Sequence, residues 1–250
     1  MGIANAYRRT MQLDTPAIVI AVLPHGEHGA VVRFLTERDG LLAGYVPGGR
    51  SRALRPVLQP GNGVAVRFRT RAASQLASAA VELVRGRTLL ATERVSAAAL
   101  DWLCALTATA LSEATPSPRL YAALDGLLDA MTFAEAPAQW LPGVVRFELL
   151  LLAELGFGLD LTACAATGGT HDLAFVSPKS SQAVGRAAGS PYAAKLLPLP
   201  AFLLGPDPAT APDIAEGLRT TGWFLERDVL IGRAAALLTA RQRLVAMVEP

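Results

Sequence analysis

Gly40-Leu-Leu-Ala-Gly-Tyr-Val-Pro-Gly-Gly-Arg-Ser-Arg-Ala-Leu-Arg-Pro-Val-Leu-Gln-Pro-Gly-Asn-Gly63 is the stretch that decides how the first third of this chain folds. It opens as an apolar run, breaks at Pro47-Gly48-Gly49, carries Arg50, Arg52 and Arg55 through a turn-rich connection, and breaks again at Pro60-Gly61-Asn62-Gly63. On either side the chain alternates apolar and polar residues, at Ala17 to Leu23 and Val31 to Leu35 before it and at Val64 to Arg69 after it. Alternation of period two, bounded by Gly, Pro and Asn, reads as short strands joined by turns. Five β-like runs are expected, 16–23, 29–37, 40–46, 63–71 and 76–85, separated by signals such as Pro24-His25-Gly26 and Asp39-Gly40. Five short strands with no long helix between them suggest a small barrel, of the OB or the SH3-like kind.

From Thr88 the period changes to three and four. Thr92 or Ser96 is the expected cap of a helix carrying Val95, Leu100, Leu103 and Leu106; Ser117-Pro118 starts a second through Leu120, Leu124, Leu127 and Leu128. A third follows Ala136-Pro137, through Trp140, Val144, Phe147, Leu151 and Leu155 to a stop at Gly156-Phe157-Gly158. An irregular Gly/Ser/Thr-rich excursion at about 158–195 precedes two last helices near 210–229 and 231–247. The fold class is α+β, with a β domain over 1–86 and a mostly α-helical domain over 87–250.

At 250 residues either domain can bury an adequate core. A mean hydropathy of +0.35 is high for a water-soluble chain, but the excess is alanine and leucine in helical sequence. The longest apolar tracts are interrupted by Glu154 or Asp101 and fall short of the ~20 residues a membrane helix needs. No membrane partner is expected. With no apolar core of signal length before Asp14, and with only Cys104 and Cys164, a reducing cytoplasm is the expected compartment.

A net charge of +2 hides an asymmetry. Residues 1–87 hold twelve arginines and five acids, while residues 88–250 hold eleven bases and sixteen acids. A basic β portion beside a mildly acidic helical portion points to two domains with different partners, and the basic one to nucleic acid. The plainer alternative is a chain that merely prefers Arg to Lys, which leaves the asymmetry unexplained.

Within the basic part, Arg50, Arg52 and Arg55 offer planar forks for phosphate on a loop whose Gly48 and Gly49 allow close approach. Arg67, Arg69 and Arg71 are spaced by two, so in a strand they form a guanidinium row on one face; Arg33 completes the set. Stacking on bases falls to Phe34, Tyr45 or Phe68, with Tyr45 the better candidate because Phe68 alternates with the arginines and points inward. Lys179 and Arg186 are expected to extend the DNA path into the second domain. Sequence-specific readout is not expected, since no recognition-helix pattern or Asn/Gln-rich reading surface is present.

Catalytic constellations are missing: no phosphate loop ending in Lys-Ser/Thr, no Gly-x-Gly-x-x-Gly, no His-Glu-x-x-His and no Gly-x-Ser-x-Gly. His25, Glu27 and His28 sit in a turn at a spacing that matches no closed zinc pattern, and adjacent His171 and Asp172 read as loop residues. No enzyme activity and no cofactor are expected.

The order of Ala-Ile-Val near 17, Gly-Gly-Arg-Ser-Arg at 48–52, Leu-Gln-Pro-Gly at 58–61, Arg-Phe-Glu-Leu at 146–149, Glu-Leu-Gly-Phe-Gly at 154–158 and Val-Ser-Pro-Lys at 176–179 resembles the RecO family of bacterial recombination mediators over nearly the whole chain. The resemblance favours an OB-fold. It implies a protein that binds single- and double-stranded DNA, anneals complementary strands, engages RecR and the acidic C-terminal tail of single-strand-binding protein, and so helps RecA load onto coated strands. For the tail, Arg146 is the expected rim residue beside Phe147 and Leu150. Many members of that family carry a four-cysteine zinc site in the excursion; here its start reads Cys164-Ala165-Ala166-Thr167, no second pair follows, and no metal is expected. The alternative function is a protein-only adaptor whose basic barrel meets acidic partners; a nuclease finds no paired carboxylates in the basic domain.

Overall fold

The computed structural model of the chain describes residues 11–70, 75–232 and 235–248. By packing, the chain divides into two compact units, Met1–Thr132 and Phe133–Pro250.

Unit 1 begins with β1 (Met11–His25), β2 (Gly29–Thr36), β3 (Gly40–Val46), β4 (Gly63–Thr70) and β5 (Ala77–Arg85), which form a closed barrel in the order β1-β2-β3-β5-β4. This is the small barrel that the alternation implies, and it is OB-like, as the family resemblance favours. β1 is longer than expected because it serves two neighbours: its first half pairs with β4 from Met11↔Thr70 to Ile18↔Gly63, and its second with β2 from Ala17↔Thr36 to His25↔Gly29. A register shift between Val19 and Ala21 marks the bend between the halves. Closure between β3 and β5 is parallel and consists of two pairs, Gly44↔Ala77 and Tyr45↔Ser78.

Alternation fills the barrel. Val64, Val66 and Phe68 of β4 face in, with Val19, Val32, Phe34 and Ala79 from the other strands and Leu58 from the arginine loop. Phe34 meets Phe68 edge-on at 5.7 Å between ring centroids. Burying each such side chain contributes about 1.5–3 kcal/mol of transfer free energy.

Strand gives way to helix between Arg85 and Arg94, and α1 (Arg94–Ala110) and α2 (Pro118–Phe133) follow. The cap of α1 is Glu93, not Thr92 or Ser96: its carboxylate accepts the N–H groups of Val95 at 3.1 Å and Ser96 at 2.7 Å, which holds its pKa below the usual carboxylate value. Arg87 is 1% exposed and joins Asp125 and Asp129 of α2, with Arg85 on the outer side of the same carboxylates.

Unit 2 holds α3 (Leu141–Glu154), β6 (Leu173–Val176), β7 (Ala183–Gly185), the single turn α4 (Arg186–Gly189), β8 (Leu197–Pro198), α5 (Ala211–Phe224) and α6 (Ala235–Val248). The excursion is thus less irregular than its composition implies, since β7-β6-β8 form a small antiparallel sheet. A buried ion pair lies in the helical core. Glu148 of α3 is fully buried and accepts from Arg241 of α6 at 3.2 Å and from the Thr221 hydroxyl of α5. Gly222 leaves room for that guanidinium, because a Cβ there would come within 2.5 Å of Arg241 Nη1.

Candidate nucleic-acid interface

Through their pairings the end of β4, the start of β5, the end of β3, the start of β2 and the β1–β2 hairpin follow one another along a continuous row around the outer wall of the barrel. Residues at paired positions project from the same face of a sheet. Arg69 pairs with Ser78, and Ser78 with Tyr45, so the three form one row across the outside of β4, β5 and β3. At about 4.8 Å between strands, Arg69 and Tyr45 are separated by roughly 10 Å along that row.

Tyr45 lies over Gly29, where a Cβ would come within 2.4 Å of the ring, and meets His25 edge-on at 5.6 Å. Only glycine at 29 lets the phenol lie flat on the hairpin. Arg50 comes next, donating from Nη1 to the hairpin carbonyls of Glu27 at 3.0 Å and Gly26 at 3.3 Å, while its backbone N–H donates to His28. Bonding to carbonyls fixes that guanidinium and leaves its charge intact. Arg52 and Arg55 are exposed further along the loop and form no ion pair among the described residues. The row and the loop together set Arg69, Tyr45, Arg50, Arg52 and Arg55 in succession along one outer path on the barrel. Spaced cations with a half-buried aromatic ring between them are what a single strand needs, charge for its phosphates and a π-face for a base.

Other candidates are placed differently. Arg33 donates into the carbonyl of Ala108 at the end of α1, and Phe34 and Phe68 are inside the barrel. Arg67 does stand beside Arg69 on the exposed face of β4, but its Nε donates to Asp14 at 2.7 Å. A hydrogen bond from Gln12, then Arg67 itself, holds the Asp14 carboxyl below its usual range. Asp14, Arg67 and Glu82 share a cavity of about 430 Å³ on that face, floored by Ala65 and Ala80. With two carboxylates to one guanidinium, that cavity repels phosphate. Arg71 lies outside the described residues.

In unit 2, Lys179 is exposed on the turn between β6 and β7, and Arg186 pairs with Asp172 at 3.0 Å in full solvent, an interaction of little energetic weight. Arg146, Phe147 and Leu150 do not form a rim and groove. The Arg146 guanidinium donates to the carbonyls of Phe202 at 2.9 Å and Gly205 at 3.2 Å and lies over the Phe202 ring, Phe147 is 2% exposed, and Leu150 is half-buried. The residues present do not fit a four-thiolate zinc centre either. Cys164 Sγ accepts the N–H of Gly185 at 3.2 Å, Thr167 stands where a second thiolate would close the pair, and among the described residues no three metal-ligating side chains converge. Those hydrogen bonds, from Gly185 first and then Thr167, bring the Cys164 thiol down to about 7.

Sequence reasoning missed Ser78, Gly29 and His25 as parts of the site; only pairing across three strands brings them together.

The family models described as Recombination protein O N terminal and Recombination protein O C terminal match residues 11–87 and 92–234. The chain belongs to the RecO family. It is 46% identical to the DNA repair protein RecO of Rhodospirillum rubrum over 91% of this chain and 92% of that protein. It is also 46% identical to that of Phenylobacterium zucineum, over 86% and 88%, and 43% identical to that of Caulobacter vibrioides, over 89% and 88%. The two RecO models therefore fall on the two portions that differ in charge, the first on the barrel with the candidate interface.

Proposed function

We propose that this RecO-family protein is a non-enzymatic DNA repair and recombination mediator that binds single- and double-stranded DNA along the outer wall of its barrel. Its relatives are named DNA repair proteins. The observation that carries the reading is the continuity of Arg69, Tyr45 and Arg50 along that wall, leading into exposed Arg52 and Arg55. Arg67 joins them only where phosphate displaces Asp14; Lys179 and Arg186 supply exposed charge on unit 2.

The physical role is charge neutralisation. Two complementary strands are polyanions, and a surface that releases counterions from both lets them meet while leaving base edges free to pair. In this role the protein anneals strands, works with RecR and the acidic tail of single-strand-binding protein, and promotes RecA loading in gap repair and homologous recombination. Arg146 and Phe147 are engaged inside unit 2 and are left out of the tail-binding surface. The setting is cytoplasmic, at the nucleoid; no described helix is long and apolar enough to cross a membrane.

Fluorescence anisotropy of labelled oligo-dT and of a mixed-sequence strand, at low and near-physiological salt, tests it. Similar binding of both strands, weakening by orders of magnitude as salt rises, is the expected result. No binding at low salt overturns the reading in favour of a protein-only adaptor.

A further inference from the structure

The loop that presents Arg52 and Arg55 is held at its far end by one buried side chain. Asn62 is 0% exposed, and its carboxamide Nδ2 donates to the carbonyls of Pro56 at 2.9 Å and Val57 at 3.1 Å. Its Oδ1 accepts the backbone N–H of Arg87 at 2.7 Å. The Asn62 carbonyl accepts from Val19 at 2.9 Å, and the Gly61 N–H donates back to Val19 at 2.8 Å. Both amide hydrogens and the amide oxygen are thus used: the side chain joins the loop to the segment that leaves β5, while the backbone of Gly61 and Asn62 joins it to β1.

Arg87 fastens that clamp from behind. Its Nη1 donates to Gly61 at 2.9 Å, while Nε and Nη2 reach Asp129 and Asp125 of α2 at 3.0 Å and 2.5 Å. Arg85 meets the same two carboxylates from solvent at 3.1 Å and 2.6 Å. Two arginines face two aspartates, so the buried guanidinium is neutralised in place. Within the loop, Arg55 donates to Ser51, Leu58 to Leu54, and the Gln59 side chain to Arg55; Leu58 seats the turn in the barrel core, and the Asn62 side chain adds the directional bonds that fix its backbone.

We infer that Asn62, backed by Arg87 with Asp125 and Asp129, is a positioning residue that fixes the C-terminal half of the arginine loop and holds Arg52 and Arg55 toward phosphate. The inference rests on the DNA-binding reading above. A loop free to move would lose entropy at the moment of binding, and that loss would be subtracted from affinity. Arg50 is outside its reach, because the hairpin carbonyls of Gly26 and Glu27 hold it independently.

The test pairs hydrogen exchange of the free full-length protein with DNA titrations across salt. Asn62→Asp keeps the acceptor for Arg87 and loses both donors to the loop; Asn62→Ala removes all three bonds and introduces no charge. Exchange in 51–60 is expected to rise at least about ten-fold in either variant, with β1 and β4 unchanged. Affinity for labelled oligo-dT is expected to fall about five- to thirty-fold, with no further fall when Arg52→Ala and Arg55→Ala are already present and a full multiplicative fall with Arg50→Ala. That selective coupling is what a general loss of stability would not produce. Unchanged exchange in 51–60, or a full extra loss on top of Arg52→Ala and Arg55→Ala, overturns the inference. Should neither variant fold, the wild type decides: amides of Arg55, Leu58 and Gly61 protected like those of the strands support the clamp, and exchange at the rate of unstructured chain overturns it. A wild type that binds no DNA at low salt overturns the functional reading, and the exchange measurements then decide the clamp alone.

Discussion

In unit 2, Arg146, Arg227 and Arg241 commit their guanidiniums to acceptors of the fold, although Arg146 is exposed, whereas along the barrel wall of unit 1 Arg52, Arg55 and Arg69 stand in solvent. Arg227 bonds Asp228 at 2.7 Å and Ser181 at 3.1 Å and lies over Phe224, and Arg241 is 7% exposed against a fully buried Glu148. The same residue type therefore serves cohesion in one region and presentation in the other. What separates them is the supply of acceptors within reach, which no charge count reveals.

The contrast is broken most sharply from the inside. Replacing Glu148 with Ala strands the Arg241 charge in the helical core, and chemical denaturation is expected to read a loss of about 3–5 kcal/mol. On the barrel wall the opposite should hold. Arg50→Ala, Arg52→Ala and Arg55→Ala together are expected to lower DNA affinity about ten- to a hundred-fold at near-physiological salt and to flatten the salt slope by about two, with stability held to within about 0.5 kcal/mol. A triple variant that melts early instead would erase the distinction between the two regions.

Asp14→Asn sharpens it. Freed from its carboxylate, Arg67 should move from cohesion to presentation, with DNA affinity rising a few-fold and the salt slope steepening by just under one, as one added phosphate contact would give. An unchanged slope would mean that the path of the strand stops short of Arg67. The smallest effect belongs to unit 2. A thiol whose folded pKa is depressed to about 7 adds stability as pH rises through that value toward the unfolded thiol's, and loses it as pH falls back. Melting temperature should climb slightly between about pH 7 and 9 in the wild type and stay flat in Cys164→Ala.

Much of the barrel was legible because its signal is local. Alternation at Val64 to Arg69 and the Gly/Pro breaks around the arginine loop place β4 and the loop to within a residue or two. The excursion was harder, since strands of two to four residues such as Leu197–Pro198 carry no period to read. Of the site, the loop arginines and Tyr45 were visible as residue types, but Arg69, Ser78 and Tyr45 become one row only through the β4-β5-β3 order. Arg33 and Arg67 misled for the same reason: Ala108 and Asp14, which engage them, lie 75 and 53 residues away in the chain. Glu148 carries no burial signal in the sequence and Asn62 only that of a turn, because the partners that let them be buried come from distant segments.

The barrel behaves mechanically like a hoop fastened by a short clasp. Every other pair of neighbouring strands is stitched over seven residue pairs or more, while β3 and β5 meet over two. Tension applied around the hoop concentrates at that clasp, and one half of it is Tyr45 paired with Ser78. The ring at the centre of the proposed row is therefore mounted on the barrel's shortest seam, where the wall gives most easily, with stiffer seams everywhere else around the circumference.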